Sequence, residues 1–529
     1  MLSEICYYAR MAAGVRELVC TPPPPDPLGA VRRQMENRAH HFLNLTRGIV
    51  FANLKHPYSR MFQLAGCEYA DLEESVRREG LEKTLEALRR DGVWLSHAEF
   101  KGSTPIIRSG EVIESNVLSF RNPFSRGGIE SMSGGSRSKG TPTRSSNETR
   151  QYRQGYRVLE EREFGTRDRA LIVLRPILPS AVGLSSVLQY SRGAGHPVHW
   201  FAVGGTLKNS GHYRAVTRTM VHLGNLMGAR APQPVYLPEN DFLPVAETIA
   251  SMKAAGTQSL VSSFVSPAVR VSLAACEKGL DIAGALFLAG GEALTSEKRA
   301  AIEASGALVY PRYWINEIGP IGLACRRMKS GNRVHLFEDS VAVINQRQTV
   351  PHSDVEVNAL LLTTLLPTTE RFLINVCMDD SGSIEPANCS CSFQEVGFTR
   401  QVRDISSFGK LTGLGMTLVG TDVVRVLEEA LPRRLGGGPG DYQLVECERQ
   451  GQTVLELRAS PRIVRCTVDL IRECFLEELT GVYGGSLAAR EWRHAGAVRV
   501  VIAEPIMTRP GKILALHLLG QGASKHDAA

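Results

Sequence analysis

The chain has 529 residues, 43% of them hydrophobic and 22% charged, and a formal net charge of +7. That length exceeds one ordinary core and predicts two or more domains. The composition is that of a soluble globular protein, and no apolar run reaches the roughly 18–20 residues that span a bilayer.

The start, MLSEICYYARMAAGVRELVC, lacks the basic opening and apolar centre of a signal peptide, so the expected compartment is the cytoplasm. Eleven cysteines in such a chain argue for thiols or metal ligands rather than a disulfide framework. Positive charge is uneven: Arg121 to Arg169 holds eleven Arg/Lys against six Asp/Glu. Such a patch faces nucleic acid, a nucleotide or solvent. No RNA-binding aromatic motif or helix-turn-helix accompanies it, so no nucleic-acid partner is expected.

In chain order, Thr21 to Pro27 (TPPPPDP) reads as an extended spacer. Leu72, Val76, Leu81, Leu85 and Leu88 recur at helical intervals among charges. Ala170 to Ile177 (ALIVLRPI) reads as a buried strand. The middle alternates: SLVSSFV strand, SPAVRVSLAACEKGL helix, GALFLAGG strand, TSEKRAAIEASG helix, ALVYPRYW strand. Thr295 is the expected N-cap of the second helix and Gly306 its stop. Alternation of this kind predicts parallel strands in an α/β layer. From about Arg333 strands joined by turns follow. The polar stretch RDISSFGKLTG near residues 403–413 precedes a helix, a hairpin, a helix and a strand, a compact α+β unit of its own. The boundaries read from this are 1–50 as an N-terminal extension, 51–404 as a large domain and 405–529 as a small one.

Between Ser131 and Arg144, SMSGGSRSKGTPTR packs three glycines, four serines and two threonines around two arginines and a lysine. Glycines let several backbone N–H groups point at one spot, hydroxyls add donors, and cations balance an anion. Ser133, Gly134, Gly135, Ser136, Ser138, Gly140 and Thr141 are the candidate donors, with Arg137 and Lys139 as the cations. The stretch is not a Walker A loop, because no Gly-Lys-Ser/Thr opens a helix. Later come LAGGEALT with Gly291 and Glu292, YPRYWINEIGP with Tyr313, Asn316 and Glu317, and TRPGKILAL with Lys512. A glycine-hydroxyl loop, a magnesium-competent carboxylate and a mobile lysine are the parts needed to transfer an adenylyl group.

In this order the stretches resemble the adenylate-forming superfamily of acyl-CoA synthetases. The nearest branch is the phenylacetate–CoA ligases with their relatives the acyl-protein synthetases. The family's phosphate loop is similar to SGGSRSKGTPT, Ser133 to Thr143, which is two residues longer here. Its Gly-Gly-Glu matches Gly290, Gly291 and Glu292; its Tyr-Gly-x-Thr-Glu matches Tyr313 to Glu317; its C-terminal Gly-Lys matches Gly511 and Lys512. The chain departs by carrying Trp314 for the glycine and Asn316 for the threonine. The ribose-binding aspartate is either Asp380 or its neighbour Asp379 in RFLINVCMDDSG, with Asp380 the candidate. Arg403 joins the nucleotide-binding set.

The resemblance implies an α/β fold: a large domain with mixed parallel sheets flanked by helices, and a small mobile α+β lid domain. It implies an ATP-dependent acid–thiol ligase that forms an acyl-adenylate and then a thioester. Glu317 would help bind Mg²⁺, and Lys512 would reach the developing charge. The segment Asp404 to Lys410 would be the pivot of the lid. The thiol is coenzyme A, a carrier protein or an internal cysteine, and a family member that binds an adenylate or partner without turnover is the alternative of another class. A homodimer stays among the expectations.

Cys389 and Cys391 form a tight Cys-x-Cys pair, and Cys325 and His335 stand upstream. Four such donors suit tetrahedral zinc. Similar positions occur in some phenylacetate–CoA ligase relatives. The alternative is three partly buried free thiols and an exposed histidine. His196, His199, Cys466 and Cys474 read as structural, although Cys466 or Cys474 could accept an acyl group.

Overall fold

The computed structural model describes residues 2–132, 142–192, 197–203, 211–238, 241–291, 293–294, 296–329, 331–349 and 356–407. Beyond these it describes 411–413, 416–418, 423, 425–438, 441–449, 452–461, 463, 466–481, 486, 489–490, 492–493, 496–505 and 516–518. The motif positions Ser133, Gly134, Gly135, Ser136, Arg137, Ser138, Lys139, Gly140, Thr141, Glu292 and Lys512 lie outside the described residues, as do Thr295 and His196.

One sheet of twelve strands organises the larger part of the chain. Half of it is parallel. Leu308–Ile315, Leu286–Gly290, Ser259–Phe264, Ala170–Leu174, Val198–Ala202 and Val235–Tyr236 lie side by side in that order. Ala170–Leu174 and Leu286–Gly290 are buried at every residue, as continuous apolar runs in a parallel sheet must be. Helices cover both faces. Leu243–Ala254, Val265–Lys278 and Ser296–Glu303 share one core cluster with these strands. Leu2–Cys20, Val182–Tyr190 and Gly211–Leu226 share the other. The alternation expected from the sequence is therefore present, with strand directions parallel as predicted.

The other half is antiparallel and continues the same sheet. Gly319–Leu323 folds back against Leu308–Ile315, and Arg333–Leu336, Arg400–Ser407, Val376–Pro386, Glu356–Thr364 and Val341–Thr349 follow. The mixed α/β fold class is as expected, but the strands after Arg333 extend one continuous sheet rather than building separate ones. The hairpin of Leu308–Ile315 and Gly319–Leu323 is where strand direction reverses. The strand order itself reverses between Ala170–Leu174 and Ser259–Phe264, the switch point that opens a crevice at the carboxyl ends of the parallel strands.

The periodic stretch from Leu72 to Leu88 forms two helices, Tyr69–Glu79 and Leu81–Arg90. They break at Gly80, whose φ of +84° is a conformation that glycine adopts at no steric cost. All five predicted apolar positions are buried. The proline spacer ends at Pro27, the first residue of a helix capped by Asp26. The first fifty residues are built into the large unit. Met11, Val15 and Leu18 join the core of the parallel half, and Phe42, Leu45 and Ile49 join that of the antiparallel half.

Toward the C-terminus a four-stranded sheet forms in the order Val498–Ile502, Gln452–Ala459, Tyr442–Arg449, Leu516–Leu518. The helix Val468–Thr480 packs on it, and Tyr442, Phe475 and Trp492 fill a core cluster of its own. The strand Arg400–Ser407 runs through residues 404–407, so the large sheet extends past the expected boundary to Ser407. Among the described residues no helix is long and apolar enough to cross a membrane.

Candidate functional site

The reversing hairpin carries the site. Its first strand ends at Ile315, and Glu317 lies in the turn before Gly319. Gly319 has φ +111°, and a Cβ there would stand 2.4 Å from Arg153 Nη2, so the turn admits only glycine beside that guanidinium. Arg153 lies 4.9 Å from the ring of Trp314, which is exposed on the hairpin. Asn316 is exposed as well.

Tyr313 points the other way, into the core. Its hydroxyl donates to Asp380 Oδ2 at 2.9 Å. Burial first and the Asp380 charge second push that hydroxyl far above the usual tyrosine range, so it remains a donor. Asp379 separates from its neighbour. It sits at φ +60°, and its carboxylate lies 3.7 Å from His97 Nδ1. The left-handed residue turns two adjacent aspartates toward different partners.

Glu317 is ion-paired with Lys101, Nζ to Oε1 at 2.5 Å, both side chains largely buried. Burial, the largest single effect, raises the Glu317 carboxyl; the charge and hydrogen bond of Lys101, joined by a backbone hydrogen bond and the Arg371 charge, together hold the group below the usual range. Lys101 and His97 come from one short helix, His97–Lys101, opened by a capping box of Ser96 and Glu99. Residues four apart share a helix face. One face of this helix therefore supplies a partner to Glu317 and another to Asp379. Neither residue was singled out from the sequence. The Ser-x-x-Glu capping signal was there to be read, but nothing local says what such a helix will touch.

The Gly290–Gly291 turn lies at the end of the Leu286–Gly290 strand. A Cβ on Gly290 would meet the Arg312 carbonyl oxygen at 2.5 Å. One on Gly291, at φ +80°, would meet Phe264 Cδ1 at 2.6 Å. Both positions thus exclude a side chain. Of the glycine-serine loop, only the stem is described: Ile129–Met132 pairs with Pro142–Ser145. The stem is tied down by the Arg144 amide donating to Glu370 Oε2 at 2.6 Å and by its guanidinium donating to the Ser125 carbonyl at 2.8 Å. Arg403, half exposed, lies 3.0 Å from Glu385 and 2.8 Å from Asp404.

A second cluster lies in the antiparallel half. Cys325, His335, Cys389 and Cys391 bring all their ligand atoms within 4.8 Å of one another. His335 Nε2 is 3.2 Å from both Cys389 Sγ and Cys391 Sγ. Contact with Cys325 first, and with His335 after the opposing effect of burial, pushes the Cys391 thiol down. Contact with Cys391 pushes the Cys325 thiol up. His335 is fully buried, not exposed, and among the described residues its Nδ1 has no hydrogen-bond partner. Three soft sulfurs and one imidazole nitrogen, converging from positions 325, 335, 389 and 391, are a donor set that fits tetrahedral zinc.

Cys474 is buried and Cys466 partly buried in the small unit's core. His199 is partly buried, which pushes its imidazole down.

No known protein-family pattern matches the chain, and no curated protein matches it by sequence. Solved structures do. A 2-hydroxyisobutyryl-CoA ligase in complex with 2-HIB-AMP and CoA aligns with a TM-score of 0.52 at 13% identity, covering 94% of each chain. The anthranilate CoA ligase AuaEII aligns at 13% identity over 91% of this chain and 90% of the other, with a TM-score of 0.34. The Vibrio cholerae adenylation domain AlmE aligns at 12% identity over 90% of each chain, with a TM-score of 0.36. With the mixed sheet and its reversing hairpin, the first of these likenesses gives the chain the fold of the adenylate-forming enzymes.

Proposed function

We propose that the chain activates a carboxylic acid with ATP as an acyl-adenylate and then transfers the acyl group to a thiol, coenzyme A first among the candidates. The observation that carries the reading is the Tyr313–Asp380 hydrogen bond. It joins two motifs, far apart in sequence, that the resemblance assigns to one nucleotide.

In the first half-reaction the acid's carboxylate attacks the α-phosphate and pyrophosphate leaves. Both reactants are anions, so alignment and charge neutralisation are the main tasks. Asp380 would accept hydrogen bonds from the ribose hydroxyls, with Tyr313 fixing its position. The Ser133–Thr141 loop would hold the outer phosphates on the stem that Arg144 anchors. Glu317 is ionised and largely buried, a donor that Mg²⁺ accepts. Such an ion, when bound, neutralises charge on the triphosphate. Lys512 would reach the carboxylate–phosphate centre from the small domain, swinging on the segment Asp404–Lys410. Because residues 404–407 are strand, that swing begins beyond Ser407. In the second half-reaction a thiolate attacks the activated carbonyl and AMP leaves.

The Cys325–His335–Cys389–Cys391 set would hold a structural zinc remote in role from this chemistry. It also supports placing the chain near the phenylacetate–CoA ligases. One observation favours a second reading, an adenylate-binding protein without turnover: an ammonium already occupies one oxygen of Glu317.

Acid-dependent exchange of labelled pyrophosphate into ATP tests the first reading. Exchange with at least one class of carboxylic acid is expected. Nucleotide binding with no exchange across a broad acid panel would favour the second.

A further inference from the structure

The carboxyl edge of the parallel strands holds a cation that the reaction above does not use. Arg175 follows the Ala170–Leu174 strand, with its amide bonded to the Phe201 carbonyl at 3.2 Å and its own carbonyl accepting from Trp200 Nε1 at 3.0 Å. The backbone is thus fixed and the side chain is held at the edge. Its guanidinium lies 4.3 Å from the centroid of Phe264, the last residue of the neighbouring strand. Phe264 in turn fills the space that a side chain on Gly291 would need. Arg175, Phe264 and the Gly290–Gly291 turn are therefore consecutive pieces of one wall. In open α/β sheets this edge is where ligands sit.

Among the described residues, the charges around Arg175 leave it without an acidic partner. Arg312, on the third strand over, is ion-paired with Glu160. Arg157, which stacks 4.3 Å from the Tyr190 ring, is 3.5 Å from Glu161. Three guanidiniums thus meet two carboxylates, and among the described residues Arg175 has no acid facing it. Burial, and then the charge of Arg312, push its guanidinium down to about 9. A desolvated cation without a counter-ion costs stability, and a site that retains one has a use for it.

We propose that the acid activated by this chain carries a second anionic group, a carboxylate or sulfonate at the end opposite the reacting carboxyl, and that Arg175 receives it. The inference rests on the acid-activation reading above and names its substrate class. Arg175 acts as a specificity residue. A guanidinium binds such a group through paired N–H donors, and a neutral acid of equal length leaves those donors unsatisfied.

The test is pyrophosphate exchange with matched acids: straight-chain monoacids against diacids of equal length, and benzoate against its 4-carboxyl and 4-sulfonate derivatives. Wild-type chain is expected to prefer the dianions. Arg175→Met is expected to raise KM for the preferred dianion roughly 10- to 100-fold with kcat little changed, and Arg175→Lys to recover part of the loss. Matched neutral acids serving equally well in the wild type would overturn the proposal and leave acid activation standing. So would an Arg175→Met loss that is the same for neutral and anionic acids, because that marks a structural role. Exchange with no acid at all would instead overturn the activation reading, and this inference with it. A thermal-shift titration with the same acids is a readout independent of turnover. Stabilisation by the dianion in the wild type and not in Arg175→Met supports the site, and its absence in both contradicts it.

Discussion

The Tyr313 hydroxyl donates to Asp380 Oδ2 across 2.9 Å, while Asp379, one residue earlier, turns to His97. The two aspartates are thereby distinguished. Asp380→Ala is expected to raise KM for ATP roughly 10- to 100-fold, the range for a hydrogen bond to a charged group. Tyr313→Phe should cost less, because Asp380 remains. Asp379→Asn, which suits a left-handed backbone, should leave KM for ATP near wild type. Steady-state exchange rates as ATP is varied check all three.

Lys101 holds Glu317 ionised against the effect of burial. Removing the ammonium in Lys101→Met raises the carboxyl, since desolvation is then unopposed by its nearest charge. The acidic limb of the exchange rate against pH is expected to move to higher pH. A limb that stays in place would show that Glu317 ionisation does not govern the rate.

The four-donor cluster predicts one zinc per chain, released by a strong chelator and measured by elemental analysis. Cys391→Ala and Cys325→Ser are each expected to lose the metal and to lower the thermal midpoint by several degrees. Full metal content in both variants would place the ion elsewhere.

Asp339 is wholly buried and accepts hydrogen bonds from Tyr152 and Tyr156 on one oxygen, and among the described residues its other oxygen has no partner. Burial, only partly offset by the two hydroxyls, raises its carboxyl to about 7. The folded chain therefore binds a proton that the unfolded chain, titrating near 4, has released. The stability from this group is fully present below about pH 4 and lost as pH rises through 7, by about 1.4 kcal/mol per unit at most. Asp339→Asn mimics the protonated acid at every pH. The variant's thermal midpoint is expected to gain on wild type between pH 4.5 and 7 and then hold constant. A difference that does not vary with pH would show Asp339 ionised throughout.

The parallel half of the sheet was legible because its signal is local. Runs such as Ala170–Leu174 and Leu286–Gly290 are buried on both faces and flanked by turns and amphipathic helices. The break at Gly80 was equally local, yet periodicity on both sides carries straight across a single glycine. What periodicity cannot carry is pairing at long range. Arg333–Leu336 lies against Arg400–Ser407, and that pairing makes one sheet of what reads as separate strands. The four clustered donors were legible as a Cys-x-Cys pair with an upstream cysteine and histidine, and with a resemblance to support them. Lys101 and His97 were not, because a charged residue on a five-residue helix looks like a solvated surface until the fold brings Glu317 and Asp379 to it. Arg175 lay hidden for the same reason: an isolated arginine after a strand acquires meaning only when its neighbours' charges are counted.

The central claim is that Tyr313, Asp380 and Glu317 belong to one nucleotide site. A crystal structure with a non-hydrolysable acyl-sulfamoyl adenosine tests it most directly. The ribose hydroxyls are expected within hydrogen-bond distance of the Asp380 carboxylate, with the sulfamoyl group toward Glu317. The adenosine bound away from the reversing hairpin, with Asp380 still held only by Tyr313, would contradict it.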